Sequence, residues 1–369
     1  MGRFADVHIR EIMSGGRRGA PAMLARAALA AAEPFYAGAM VLRNRLYDAG
    51  IRPARPLGRP TICIGNLTAG GTGKTPMVRW LAGSLRDAGH TVAVLSRGYK
   101  SADGKPGDEQ IMLDRCLNGP GTKPVAIFAN PSRVNAAAGA LRDNPAIDVF
   151  LLDDGFQHRA AGRDLDIVLL NATDPFGYGH VLPRGLLREP VRGLSRAGAV
   201  VITHADRVGE AELNGIEQRV RRHNPAVPIY RATHAPAGLR TPGVASAAAP
   251  DRTLEDLGTR RFFAFCGLGS PAALHHQFQS LGASYIGHHW FADHHPYTAH
   301  DLATLRAKAA AAGAGVLVTT EKDWAKIADL PGARDGSPEI WRLDVEIRFL
   351  AEGGSRLLEQ VLKFLPVGG

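Results

Sequence analysis

The chain has 369 residues, 45% of them hydrophobic and 21% charged, which excludes a fibrous or disordered protein and leaves room for two ordinary domains, each with its own core. Its three cysteines, Cys63, Cys116 and Cys266, lack CxxC spacing; this argues against a disulfide framework or a thiolate zinc site and fits a reducing cytoplasm. A net charge of +9 and a pI near 9.7 imply an anionic partner, whether nucleic acid, a phospholipid surface or a phosphorylated metabolite.

Residues 1–60 hold ten arginines against four acidic residues. From Ala22 to Tyr47 the arginines alternate with Met23, Leu24, Leu29, Phe35, Tyr36, Met40, Leu42 and Leu46, a pattern that predicts a basic amphipathic helix interrupted near Pro34. Glu33, Arg43 and Arg45 break the run well before the ~20 apolar residues a spanning helix requires, and no secretory h-region or cleavage site is present. Two readings stand side by side: a helix lying on an anionic membrane surface, and a helix packed on its own domain.

From residue 61 onward short apolar runs alternate with helical stretches, and continuous hydrophobicity marks strands buried on both faces. Strands are predicted at 61–64, 91–95, 149–152, 166–170 and 199–203, and helices near 76–88, 131–142 and 209–222. Together they make a doubly wound α/β core of parallel strands. The first strand runs directly into Gly70, Gly71, Thr72, Gly73, Lys74 and Thr75, followed by Pro76 at the opening of a helix. This is the strand–loop–helix context of a P-loop: backbone N–H groups and the helix N-terminus surround phosphates, Lys74 neutralises them, and the Thr75 hydroxyl faces Mg²⁺. The loop is a variant, because the first glycine of GxxxxGK[ST] is replaced by Thr68.

Further along, Pro106-Gly107-Asp108-Glu109 forms an acidic turn, read equally well as solvated surface or as a source of a base and metal ligands for phosphoryl transfer. Val149-Phe150-Leu151-Leu152-Asp153-Asp154-Gly155-Phe156-Gln157-His158 places two carboxylates at the C-terminal end of a buried strand, the edge where open parallel sheets bind ligands. One would act as a Walker B group; both could reach a metal only if the strand ends there, as Gly155 suggests. The Pro-, Ala- and Gly-rich stretch after residue 234 reads as a linker, so the expected division is 1–48 as the basic helical segment, 49–233 as the P-loop core, 234–253 as the linker and 254–369 as a smaller α/β domain. That domain is predicted to contain strands near 262–266 and 316–319 and helices near 271–281, 298–312 and 353–364. Seven of the fourteen histidines lie between 275 and 300, but neither HExxH nor another zinc spacing occurs among them.

Taken together and in order, NLTAGGTGKTP, SRGY, GDE, LLDDGFQH, PRGLLREP, FADHH and VTTEKDW, spanning residues 66–324, resemble the tetraacyldisaccharide 4'-kinase family. The resemblance implies a monomeric enzyme on the cytoplasmic face of the bacterial inner membrane. It would transfer the γ-phosphate of Mg·ATP to the 4'-hydroxyl of a tetraacylated glucosamine disaccharide 1-phosphate, forming lipid IVA, and would have no nucleic-acid partner. It further implies Asp108 as catalytic base paired with His294, with Lys74 serving the phosphates. Thr75, Glu109, Asp154 and Gln157 would surround the metal, and Asn66, Tyr99, Arg133, Asp153, His158 and Arg188 would line the nucleotide or disaccharide pocket. With Asp108 in the P-loop core and His294 in the second domain, closure would assemble the site.

Two rival readings remain from the residues themselves. One is a P-loop GTPase or amidoligase-like enzyme acting on a soluble metabolite, although Val201-Ile202-Thr203-His204-Ala205-Asp206 stands where a guanine-reading NKxD would be and lacks its Asn and Lys. The other is a membrane-bound nucleotide switch without transfer activity.

Overall fold

A computed structural model describes residues 9–98, 108–118, 121–244, 249–267, 272–279, 281–292 and 295–366. The chain forms two compact units: residues 1–99, 125–234 and 347–369 make the first, and residues 100–124 and 235–346 the second.

The first unit is a parallel sheet in the order β3-β2-β4-β1-β5-β6-β7, with β1 Thr61–Asn66, β2 Val92–Ser96, β3 Ala126–Ala129, β4 Val149–Asp153, β5 Leu165–Asn171, β6 Ala199–Thr203 and β7 beginning at Ile229. β1, β2 and β6 are buried at every residue, because helices cover both faces of the sheet. The chain leaves β1 toward one side of the sheet, for β2 to β4, and then continues on the other with β5 to β7. β1 therefore flanks the point where strand order reverses, and the loop at its C-terminal end opens into the crevice that this reversal creates. On one face of this sheet, one core cluster packs Leu67, Phe156, Leu170, Leu187, Ile202 and Leu213 around β5 and β6, and a second packs Cys63, Leu95, Ala137, Phe150 and Leu152 around β1, β2 and β4.

The second unit has its own parallel strands in the order β11-β10-β8-β9, with β8 Phe262–Cys266, β9 Tyr285–Trp290, β10 Val316–Thr320 and β11 Glu339–Phe349. Its cores gather Phe265, Tyr297, Leu305, Trp324 and Ile340 on one face, and Leu239, Phe262, Phe278, Val318 and Trp341 on the other.

The structure differs from the sequence expectation in four places. The helix Ala20–Asp48 is continuous through Pro34. A proline removes one backbone donor and crowds one carbonyl, but here tertiary contacts hold both halves. Glu33 accepts from Val181 N at 2.9 Å, the Tyr36 hydroxyl donates to Arg188 O at 3.0 Å, and Asn44 Nδ2 donates to Glu189 Oε2 at 2.8 Å. Residues 234–240 of the expected linker are instead the second half of β7, Ile229–Arg240, where backbone pairing outweighs a composition poor in strand formers. Asp108 opens the helix Asp108–Leu117, which belongs to the second unit and meets the helix Glu321–Ile327, with Cys116 Sγ 2.8 Å from Glu321 Oε1. Asp108 thus falls in the second unit, not in the P-loop core expected from the sequence. The C-terminal helix Gly353–Leu362 belongs to the first unit, its residue Gln360 accepting from the Tyr230 hydroxyl at 2.9 Å and donating to Gly198 O at 2.9 Å.

Candidate active site

The loop after β1 is shaped by backbone conformations that glycine alone adopts easily. Gly73, directly before the helix Lys74–Asp87, has φ 79° and ψ 29°, and a Cβ there would lie 2.0 Å from His234 Cε1. Gly65 allows a different close approach: its Cβ would fall 2.6 Å from Phe156 Cβ, so only a bare backbone lets the Asp153–Phe156 turn cross over β1. Pro76 is the third helical residue rather than the first, at a position whose N–H still has no intrahelical acceptor. The loop is pinned from outside by the Pro183–Pro190 segment, with Ala69 N donating to Leu186 O at 2.7 Å and Arg188 N to Leu67 O at 2.7 Å. From the sheet, the Thr203 hydroxyl donates to Thr72 O at 3.0 Å.

Lys74 Nζ lies 3.3 Å from Asn66 Oδ1 and 3.6 Å from Asp154 Oδ1. Asn66 is fully buried at the end of β1, and its other amide atom donates to Thr68 O at 2.7 Å. β4 ends at Asp153, and Asp154 turns into the left-handed region at φ 52°, which Asp tolerates better than most residues. This break in the strand is what the sequence pattern around Gly155 predicts. Arg188 Nη1 contacts both Asp154 oxygens, at 2.7 and 2.9 Å. Burial by itself would raise the Asp154 pKa, but Lys74 and Arg188 more than offset it and hold the carboxyl below its ordinary value.

Gln157 uses its amide nitrogen on Asn66 O at 2.9 Å and on Glu189 Oε1 at 3.0 Å, which leaves its Oε1 facing Arg188 Nη1 at 3.5 Å. His158 is half-buried. Desolvation, then the positive charges of Arg133, Arg163, Arg43 and Arg97, push its pKa down to about 4, so its imidazole is neutral at physiological pH. Arg133 is 2% exposed at the first turn of the helix Arg133–Asp143, which Ser132 caps. It donates to Asp153 O at 3.0 Å and to Asn130 O at 3.3 Å, and its Nε has no partner among the described residues.

Of the residues expected at the site, Asn66, Gly70 to Thr75, Arg133, Asp153, Asp154, Gln157, His158 and Arg188 all lie in the first unit, and the contacts above link Asn66, Lys74, Asp154, Gln157 and Arg188 into one network. The side chains of Asp108 and Glu109, and residues Tyr99 and His294 as a whole, lie outside the described residues. Among the described residues no group of three or more His, Cys, Asp or Glu side chains is arranged to hold a metal.

Several residues of the site are not legible in the sequence. Glu189, 1% exposed, bonds Gln157, Asn44 and Arg196 at once; it sits inside PRGLLREP, but only contact tells that it joins the Gln157 network. His204, at φ 55°, and His234 meet over the loop, with ring centroids 4.2 Å apart and closest ring nitrogens 3.0 Å apart. Burial drives their pKa values down to about 3 and about 4. In the second unit, Asp323 of the EKDW segment is fully buried. It accepts from Gly267 N at 3.1 Å, the Tyr297 hydroxyl at 3.0 Å and the Thr320 hydroxyl at 2.7 Å, which ties the end of β8 to Tyr297 and to the head of the helix Glu321–Ile327.

A parallel sheet with reversed order at β1, a left-handed glycine heading a helix, and a lysine beside a carboxylate from the adjacent strand define a P-loop nucleotide-binding protein. The profile of the tetraacyldisaccharide-1-P 4'-kinase family matches residues 25–364. The chain is 40% identical over 350 residues to the tetraacyldisaccharide 4'-kinase of Anaeromyxobacter dehalogenans strain 2CP-C, covering 90% of this chain and 88% of that one. It is 37% identical over 322 residues to the protein of the same name from Syntrophus aciditrophicus, covering 80% and 83%. The fold is similar to the crystal structure of LpxK from Aquifex aeolicus in complex with ATP, at a TM-score of 0.69 and 26% identity, covering 92% of this chain and 99% of that one. This chain belongs to the tetraacyldisaccharide-1-P 4'-kinase family.

Proposed function

We propose that this chain transfers the γ-phosphate of ATP to the 4'-hydroxyl of a tetraacylated glucosamine disaccharide 1-phosphate, yielding lipid IVA, while seated on the cytoplasmic face of the inner membrane. The single observation that carries the reading is the placement of Lys74 at the head of its helix, 3.6 Å from Asp154. A cation and an anion converge there on the mouth of a loop shaped for phosphate, and family membership supports the particular acceptor. Backbone donors and Lys74 would hold the triphosphate, and electrostatic positioning would supply most of the rate, since phosphoryl transfer needs little covalent help from the protein.

The donor set suits Mg²⁺: the Thr75 hydroxyl, the Asp154 carboxylate and the Gln157 amide oxygen are hard oxygens, with Glu109 as a further candidate. When bound, the ion would neutralise phosphate charge. Arg188 holds the Asp154 carboxylate in one orientation, so the ligand would be preformed. Asp108 is assigned as the base that accepts the sugar hydroxyl proton, supported by His294, on the strength of residue type and motif order. The neutral His158, the buried Arg133, Asp153, Asn66 and Tyr99 are assigned to the nucleotide or disaccharide.

Membrane seating is supported by the helix Ala20–Asp48. Leu24, Phe35 and Leu42 are 73%, 81% and 60% exposed on it, at spacings that align them with Ala28, Ala31 and Gly38 as one stripe. No described helix is long and apolar enough to cross a membrane, and an interfacial helix needs no such length.

The test is transfer of radiolabelled phosphate from ATP to the lipid disaccharide in mixed micelles, with and without Mg²⁺. Product formed only with Mg²⁺ supports the reading; ATP hydrolysis indifferent to the lipid would point to a nucleotide switch instead. Asp108→Ala is expected to lower transfer at least a hundredfold while nucleotide affinity changes less than threefold, and wild-type turnover in that variant would remove Asp108 from the role of base.

A further inference from the structure

We infer that the first unit carries a second anion site, separate from the P-loop, which takes the phosphate headgroup of an anionic membrane lipid. A cleft of about 460 Å³ opens between the C-terminal end of the helix Ala20–Asp48, the turn Val191–Arg196 and the end of the helix Glu210–Arg221. Four arginines line it, Arg45, Arg192, Arg196 and Arg222, together with His223. The one carboxylate in its lining, Asp48, is already bound by Arg159 at 2.7 Å. Arg45, Arg192 and Arg222 make no side-chain hydrogen bond or ion pair to any other described residue. Arg196 is fixed by Glu189 at 2.9 Å and stacked over Phe156 at 4.5 Å, yet its buried Nε has no partner among the described residues.

The three guanidinium groups of Arg45, Arg192 and Arg222, gathered around one cleft without a paired carboxylate of their own, repel one another, and the arrangement is relieved by an anion. Guanidinium forks match the tetrahedral oxygens of phosphate better than a point charge does, and the volume admits a phosphate with a small polar substituent. Position selects the lipid source. Arg45 follows Leu42 by three residues, so the cleft begins where the exposed apolar stripe Leu24–Phe35–Leu42 ends. A lipid with its chains against the membrane-facing stripe would therefore bring its phosphate to these arginines. The site is distinct from the kinase centre: Glu189 stands between them, bonded to Arg196 on one side and to Gln157 on the other. The lipid source rests on the membrane-seated reading given above, while the experiment below uses neither ATP nor transfer and so fails or succeeds independently of the kinase assignment.

The experiment measures the rate at which phenylglyoxal modifies Arg192 and Arg222 in the full chain, read by mass spectrometry of peptides. Additions are monomeric dihexanoyl phosphatidylglycerol, dihexanoyl phosphatidylcholine or inorganic phosphate. Saturable slowing of at least fivefold by the phosphatidylglycerol alone, with Arg142 unaffected, is the expected result. Equal protection by inorganic phosphate at the same concentration overturns the lipid assignment in favour of a free anion, and no protection by any addition overturns the site. A second arm compares sedimentation with phosphatidylcholine vesicles containing 30% phosphatidylglycerol. The double variant Arg192→Gln/Arg222→Gln is expected to lose at least tenfold in partition, while Arg142→Gln/Arg356→Gln, with the same loss of charge, stays within twofold of wild type. Equal losses in the two variants would reduce the effect to net charge and overturn the site.

Discussion

Arg188 Nη1 lies 2.7 Å from one oxygen of Asp154 and 2.9 Å from the other, and this pair sets the orientation of the carboxylate that faces Lys74. Replacing Arg188 with Ala leaves a partly buried carboxylate with only Lys74 for company. The expected loss is about 1–2 kcal/mol of stability at pH 7, measured by urea denaturation. Because the folded pKa of Asp154 is depressed, its contribution is fully present above the unfolded pKa and is lost as pH falls through the lower folded value. The Arg188→Ala variant should therefore show a shallower loss of stability below pH 4 than wild type, and superimposable acid limbs would refute the pairing as a source of stability.

Gly73 combines φ 79° with the His234 ring where a Cβ would stand. Gly73→Ala should lower stability by about 1–2 kcal/mol from the left-handed conformation alone and weaken nucleotide binding by at least tenfold. In the double variant Gly73→Ala/His234→Ala the collision is removed but the backbone strain is not. Calorimetric titration with ATP is expected to recover part of the affinity, and no recovery at all would show that the ring is not what excludes a side chain at position 73.

His204 and His234 share one buried contact and are both neutral in the folded chain, with pKa values of about 3 and about 4 against an ordinary 6.5. Between pH 6.5 and about 4 the unfolded chain binds protons that the folded chain refuses. Stability falls with decreasing pH across that window, by at most ~1.4 kcal/mol per pH unit for each histidine. His234→Gln removes one of these groups, and its stability measured from pH 7 to pH 4.5 should decline less steeply than wild type. An unchanged slope would mean that His234 is not buried in its neutral form.

Leu24 and Phe35 project from the helix Ala20–Asp48 at 73% and 81% exposure. Deleting the helix would be a poor test of membrane seating, since Glu33, Tyr36, Arg43 and Asn44 bond into the first unit. Leu24→Asp/Phe35→Asp touches none of those contacts. Its thermal midpoint should match wild type within about 2 °C, while sedimentation with anionic vesicles falls at least tenfold. Undiminished sedimentation would leave the helix as a packing element only.

Much of the first unit was legible because its information is local. Fully buried parallel strands appear as unbroken apolar runs, so β1, β4, β5 and β6 are found within about two residues, and the phosphate loop announces itself through glycines that permit its backbone. The strands missed were β3, β7, β9 and β11. β3 is only half-buried, β7 runs through His234, Ala235 and Pro236, β9 carries Gly287, His288 and His289, and β11 alternates charge with apolar residues. In each the intrinsic preference is weak, and pairing with a neighbour decides the outcome.

By itself, then, the sequence determined the α/β class, the loop that meets phosphate and the paired acids at the end of β4, since each follows from residue type and short-range spacing. Long-range packing alone settles that Arg188 grips Asp154, that Glu189 joins Gln157 to Arg196 and Asn44, that the helix of Asp108 belongs to the second unit, and that four arginines from three separate segments share one cleft. Such partners lie far apart along the chain, and a contact between distant residues is fixed by how buried surfaces fit together, which no local pattern encodes.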